Sequence, residues 1–175
     1  MVIKALIVAA VACLALAPAS ALTLSNSNGG DGYLDTPEGG ADFTLRGADN
    51  SVVGNYTLYT TRAAVTQNFY NFYIYSTNDT GGAENDPAGY VVNGVYYQLS
   101  PASSVADYTI TGKFNFSVVA GDSYGFFVDS TDGCCGRASL SVGSLVPEPA
   151  TWTLLLVGFG MVAVAARRRR AELIE

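Results

Sequence analysis

Fifteen consecutive uncharged residues, Trp152 to Ala166, run directly into Arg167-Arg168-Arg169-Arg170 near the carboxyl end. Its length, charge-free run and arginine end set it apart from the chain before it. At about 1.5 Å per residue a helix over this run reaches roughly 23 Å, short of a hydrocarbon layer about 30 Å thick. Ala150 and Thr151 lengthen it at one end, and the arginine stems snorkel outward at the other. Trp152 suits the headgroup layer, and the four arginines assign their end to the cytoplasm. Gly158 and Gly160 permit close approach of another helix. Pro147 and Pro149 cannot lie inside a helix, so they mark an extended, exposed hinge before the span. Composition alone describes an ordinary carboxyl-terminal anchor on a proline-rich stalk.

The ordered spacing adds more. Pro147-Glu148-Pro149, then Trp152, then Gly158-Phe159-Gly160, then Arg167 to Arg170 resembles the PEP-CTERM sorting domain in its variant with the tryptophan. The resemblance covers about the last twenty-five residues. It departs from the pattern in the extension Ala171 to Glu175, since family members often stop soon after the arginines. It implies an exosortase-type membrane peptidase as partner, recognising the Pro-Glu-Pro and removing the helix. It also implies a Gram-negative bacterium that makes exopolysaccharide. A proline-kinked segment at the membrane surface is a physically sensible target for a peptidase.

The amino end points the same way. Lys4 gives a positive start, Ala5 to Ala17 is apolar, and Ala19-Ser20-Ala21 supplies the small residues of a cleavage site. Ala17-Pro18-Ala19 is a second choice. The pattern predicts a signal peptide over residues 1–21, recognised by the general secretion machinery. An uncleaved anchor needs a longer apolar run, and a lipoprotein role for Cys13 suits the preceding Ala10-Val11-Ala12 poorly. The organisation expected is thus signal peptide 1–21, folded domain 22–146 and sorting tail 147–175. The precursor would sit transiently in the inner membrane with its domain in the periplasm, before reaching the cell surface or extracellular matrix.

The middle is the size of one domain. It holds four basic and twelve acidic residues, a net of −8, which excludes nucleic acid as a partner and disfavours anionic lipid. The chain has no histidine, so Ser-His-Asp and Cys-His arrangements are absent and no enzyme is expected. Carboxylate pairs such as Asp129 with Asp132 sit in turn-like stretches, where aspartate caps backbone amides anyway. No cofactor is expected. Calcium is the one ion the composition allows, with Asp79, Glu84, Asp86 and Asp122 as weak ligand candidates in glycine-rich loops. The adjacent Cys134 and Cys135 cannot staple distant elements. They can form a vicinal bridge or pair with other chains, and they offer too few ligands for zinc.

All eleven tyrosines and seven of the eight phenylalanines lie in this middle, among threonine, valine and turn-formers. That is strand composition. Ser25 to Gly40 reads as a polar loop around one short edge strand, and Phe43 to Leu45 as a strand. Val52 to Thr61 is another, with Tyr56, Leu58 and Thr60 on one face. Val65 to Ser76 carries aromatics on both parities, which predicts a central strand covered on both sides. Asn78 to Gly89 reads as an acidic loop. Asn93-Gly94 between Tyr90-Val91-Val92 and Val95-Tyr96-Tyr97 predicts a type I′ hairpin. Tyr108 to Val118 alternates cleanly, Tyr124, Phe126 and Val128 alternate again, and Ala138, Leu140 and Val142 make a last strand.

Seven to nine strands without a helix predict an all-β fold, an antiparallel β-sandwich of jelly-roll, CUB-like or immunoglobulin-like type, flanked by the signal helix and a transmembrane helix. The segments Asp86 to Gly94 and Val119 to Phe126 resemble pieces of small secreted β-sandwich domains, some CUB-like. The expected role is structural or adhesive in exopolysaccharide or biofilm. The alternative is a carbohydrate-binding module, whose sugar would stack on exposed tyrosines.

Overall fold

The structure, a computed structural model, describes residues 21–144 and 158–161. The described residues form ten strands: β1 Thr23–Asn26, β2 Tyr33–Asp35, β3 Phe43–Arg46, β4 Asn55–Arg62, β5 Gln67–Thr77, β6 Ala88–Val92, β7 Val95–Gln98, β8 Tyr108–Val118, β9 Ser123–Ser130 and β10 Ala138–Ser144. A single 3-10 turn, Gly82–Glu84, lies between β5 and β6. All pairings are antiparallel, in two five-stranded sheets ordered β1-β4-β9-β6-β7 and β2-β3-β10-β5-β8. Setting aside the edge strands β1 and β2, each successive strand from β3 to β10 crosses to the other sheet, except at the β6–β7 hairpin. That order is a jelly roll and not an immunoglobulin-like sandwich.

Alternation explains the strands. In β8 the even residues Tyr108 to Val118 look inward and Thr109, Thr111, Lys113, Asn115 and Ser117 are exposed. Asn93 (φ 50°) and Gly94 (φ 79°) take the two positive angles of the expected hairpin turn. The core lies between the sheets, with Leu45, Tyr75, Val128 and Leu140 fully buried.

Two expectations change, and a third gains its direction. The strand covered on both faces is not β5. Its outward residues Asn68 and Tyr70 are exposed, and Tyr70 keeps 48 % of its surface. The covered strands are β9 and β10, the middle strand of each sheet, where residues of both parities are buried. Their outward glycines help, since the Phe72 ring occupies the space a side chain at Gly143 would need. In β4, Tyr56, Leu58 and Thr60 do share a face, but it is the outer one, because the cross-strand partners of Asn55 and Thr57 are the inward Ser130 and Val128.

The amino-terminal segment makes two edge strands rather than one. β1 borders the first sheet and β2 the second, so the chain crosses the sandwich between them. Gly32 makes the crossing possible, because a methyl group there would overlap the side chain of buried Thr57. Gly32→Ala should cost roughly 2–3 kcal/mol and lower Tm by about 10 °C, read by thermal melting.

Candidate functional site

Most of the residues assigned to sorting, Pro147, Glu148, Pro149, Trp152 and Arg167 to Arg170, lie outside the described residues, as do Ala19 and the rest of the signal segment through residue 20. Ala21 is described and exposed. Gly158, Phe159 and Gly160 belong to the helical stretch 158–161, where Phe159 is 67 % exposed and both glycines face open space. Among the described residues no helix is long and apolar enough to cross a membrane.

Within the sandwich, the outer face of the second sheet carries a cleft of about 520 Å³. Strand register builds its floor, since Tyr33, Arg46, Ser139 and Ser76 form one row across β2, β3, β10 and β5. The loop between β2 and β3 raises one wall and brings Glu38 to Arg46, at 2.7 Å. Arg46 also pairs with Asp35 at 2.5 Å, and its guanidinium holds the Asp35 carboxyl below the usual range. From the loop after β9, Arg137 pairs with Asp31 at 2.6 Å and lies 5.5 Å from the Tyr33 ring centre. Asp31 is likewise held low by that contact. Tyr33 keeps 42 % of its surface exposed. Two of the domain's four cations thus converge here, each matched by carboxylates. The cleft offers hydrogen-bonding groups and an aromatic face without net positive charge.

Several other aromatics pack against one another. Tyr97, Tyr90 and Phe116 stack at 4.9 and 4.7 Å with interplanar angles of 11° and 10°, closing the gap between the edges formed by β7 and β8. Tyr56 and Tyr96 lean together at 5.1 Å over Phe127 on the outer face of the first sheet. Their rings are tilted by 47°, so they present no flat row.

The four calcium candidates do not share one place. Asp79 and Asp86 are fully buried at one end of the sandwich. Asp86 accepts hydrogen bonds from Ser130 at 3.0 Å and Thr77 at 3.2 Å. Burial pushes its carboxyl up to about 7, Ser130 opposing and Asp79 adding to the effect. Asp79 accepts from the Gly81 amide at 2.5 Å. Glu84 is exposed on the 3-10 turn. Asp122 caps the turn before β9, at the opposite end, accepting from Val119 and Asn93. Cys134 and Cys135 are bonded to each other. Their sulfurs lie near the Asp132 carboxylate but are spent in the disulfide. Sequence reasoning gave the cleft residues no role, since nothing in their spacing places Tyr33, Arg46 and Arg137 together.

No curated protein matches the chain. Among solved structures, a family 35 carbohydrate binding module from an environmental isolate is 21 % identical, with a TM-score of 0.38, covering 73 % of this chain and 90 % of its own. The corresponding module from Clostridium thermocellum is 16 % identical, with a TM-score of 0.36 and coverages of 72 % and 97 %. A third, from Cellvibrio japonicus Abf62, is 20 % identical, with a TM-score of 0.37 and coverages of 73 % and 91 %. Likenesses at this level carry no functional weight. Residues 145–170 match the family described as the PEP-CTERM protein-sorting motif. The chain therefore carries a PEP-CTERM sorting motif behind a jelly-roll β-sandwich.

Proposed function

We propose that this protein is exported through its amino-terminal signal, held briefly in the inner membrane by its tail, and released by an exosortase to act in the exopolysaccharide matrix. The motif at residues 145–170 carries the sorting half of this reading, because it implies export, transient anchoring and exosortase processing. The residues it depends on are Pro147, Glu148 and Pro149 as the recognised hinge, and Trp152 and Arg167 to Arg170 as the brackets of the span.

The role outside the membrane is adhesive, through carbohydrate binding at the Tyr33 cleft. One observation supports it: an exposed ring sits in a polar cleft whose arginines are already matched by carboxylates. An aromatic face gives a pyranose ring its apolar contact, and the surrounding polar groups meet its hydroxyls. The ligand class is a neutral polysaccharide, since a polyanion would meet a domain of net charge −8. Tyr33→Ala should lower binding of the exported protein to neutral glycans about tenfold, as measured on an array and confirmed by calorimetry. An array showing no neutral glycan bound by the wild-type protein would end this half of the reading and leave the sorting half standing.

A further inference from the structure

A second hollow, of about 560 Å³, lies on the same sheet as the Tyr33 cleft, lined by Asn68, Tyr70, Asn115 and Ser117. It repeats the first in kind. It has one half-exposed tyrosine, with Tyr70 at 48 %, and amide and hydroxyl groups around it. No charged side chain lines it.

The two hollows are joined along the strands. Going down the β5–β8 ladder, the outward pairs are Ser76 with Thr109, Ile74 with Thr111, Phe72 with Lys113, Tyr70 with Asn115, and Asn68 with Ser117. Every one of these β8 residues is exposed, so the β8 side of the track is open along its whole length. On the other side Gly39, in the loop between β2 and β3, lies against Ile74 and stands as a wall. From Ser76 to Tyr70 is six residues, or about 20 Å of strand. A single sugar fills one hollow and reaches no further. A chain of several pyranose units spans both.

We infer that the outer face of the second sheet is one extended binding track for a linear neutral polysaccharide, with Tyr33 and Tyr70 as its two ring platforms. This rests on the carbohydrate-binding reading above and adds the shape of the ligand. Charge favours the uncharged chain. Arg46 and Arg137 are committed to Asp35, Glu38 and Asp31 at one end, and the other hollow has no charge at all. Lys113, midway, has no ion-pair partner among the described residues, and its ammonium is a donor to sugar hydroxyls. Polar pairs along the floor, the Ser76 and Thr109 hydroxyls at 2.9 Å and the Ser117 hydroxyl donating to the Asn68 amide oxygen at 2.6 Å, exchange readily with the hydroxyls of a glycan.

Calorimetry on the exported protein separates the outcomes. The probes are oligosaccharides of two and six units cut from β-glucan, mannan, xylan and galactan. The track predicts that one six-unit series binds at least about tenfold tighter than its two-unit member. Tyr70→Ala should remove that length advantage, bringing six-unit affinity down to the two-unit level. Tyr70 is an outward residue, so the fold should survive, and Tyr96→Ala on the other sheet should change neither affinity. Equal affinity for short and long chains, with Tyr70→Ala silent, would overturn the track while leaving the Tyr33 cleft intact. No binding of any probe by the wild-type protein would instead overturn the carbohydrate reading on which the track rests.

Discussion

Replacing Pro147, Glu148 and Pro149 with alanine should stop release of the protein and leave unprocessed precursor in the inner membrane. By their chemistry, two prolines are expected to deny a helix its hydrogen bonds and to hold this segment extended ahead of the span. A peptidase acting at a membrane surface needs backbone in that state, and alanine lets the helix run on through the segment. The span and its arginines are untouched, so insertion and orientation should persist. Cell fractionation should move nearly all the protein from the released pool to the membrane pool. Release at the wild-type level would show that the hinge is not what the processing enzyme reads.

Asp86 gives the second large effect, on stability. Its folded carboxyl titrates near 7, against 3.8 for the ordinary group, chiefly because burial disfavours the charged form. Between those values the folded protein holds a proton that the unfolded chain has released. The stabilisation is therefore complete below about pH 4 and is lost as pH rises through 7. A shift of this size corresponds to about 4 kcal/mol as an upper bound. Asp129, also raised mainly by burial, pulls in the same direction. Asp31 and Asp35 pull the other way, since their partners Arg137 and Arg46 hold them low, but both are close to solvent and screened. Asp86→Asn keeps the shape, and the hydroxyls of Ser130 and Thr77 can reorient to it. Thermal melts should show the wild-type domain markedly less stable at pH 8 than at pH 5, and the variant nearly level across that range. A wild-type domain equally stable at both pH values would contradict this placement of Asp86.

Local patterns were the legible part of the fold. Asn93-Gly94 declares its turn because only certain residues accept two positive φ angles, and β8 declares its faces by strict alternation. The sorting segment was legible for a related reason, since its features stand in fixed order within a short stretch. Pairing was not legible. Nothing within Ser123–Ser130 says that β9 will be the middle strand of its sheet, and the aromatics on both parities of β5 read as a doubly covered strand although β5 lies one place from its sheet's edge. The choice between jelly roll and immunoglobulin-like order depended on the same non-local pairing. Asp86 stood in what reads as a polar turn, and its burial depends on Thr77 and Ser130, which arrive from other strands. The Cys134–Cys135 bridge was one of two readings that adjacency allows. The Tyr33 cleft was the least legible feature. Arg46 and Arg137 reach it from β3 and from the loop after β9, and only sheet register sets Tyr33 beside them.

The central claim is that the tail is a disposable device and not a permanent anchor. Intact-mass measurement of the wild-type protein recovered outside the cells tests it directly. The expected mass is that of a chain lacking both the signal segment and the apolar span with Arg167 to Arg170. A mature protein still attached to the inner membrane, with a mass that includes Arg167 to Arg170, would contradict the account.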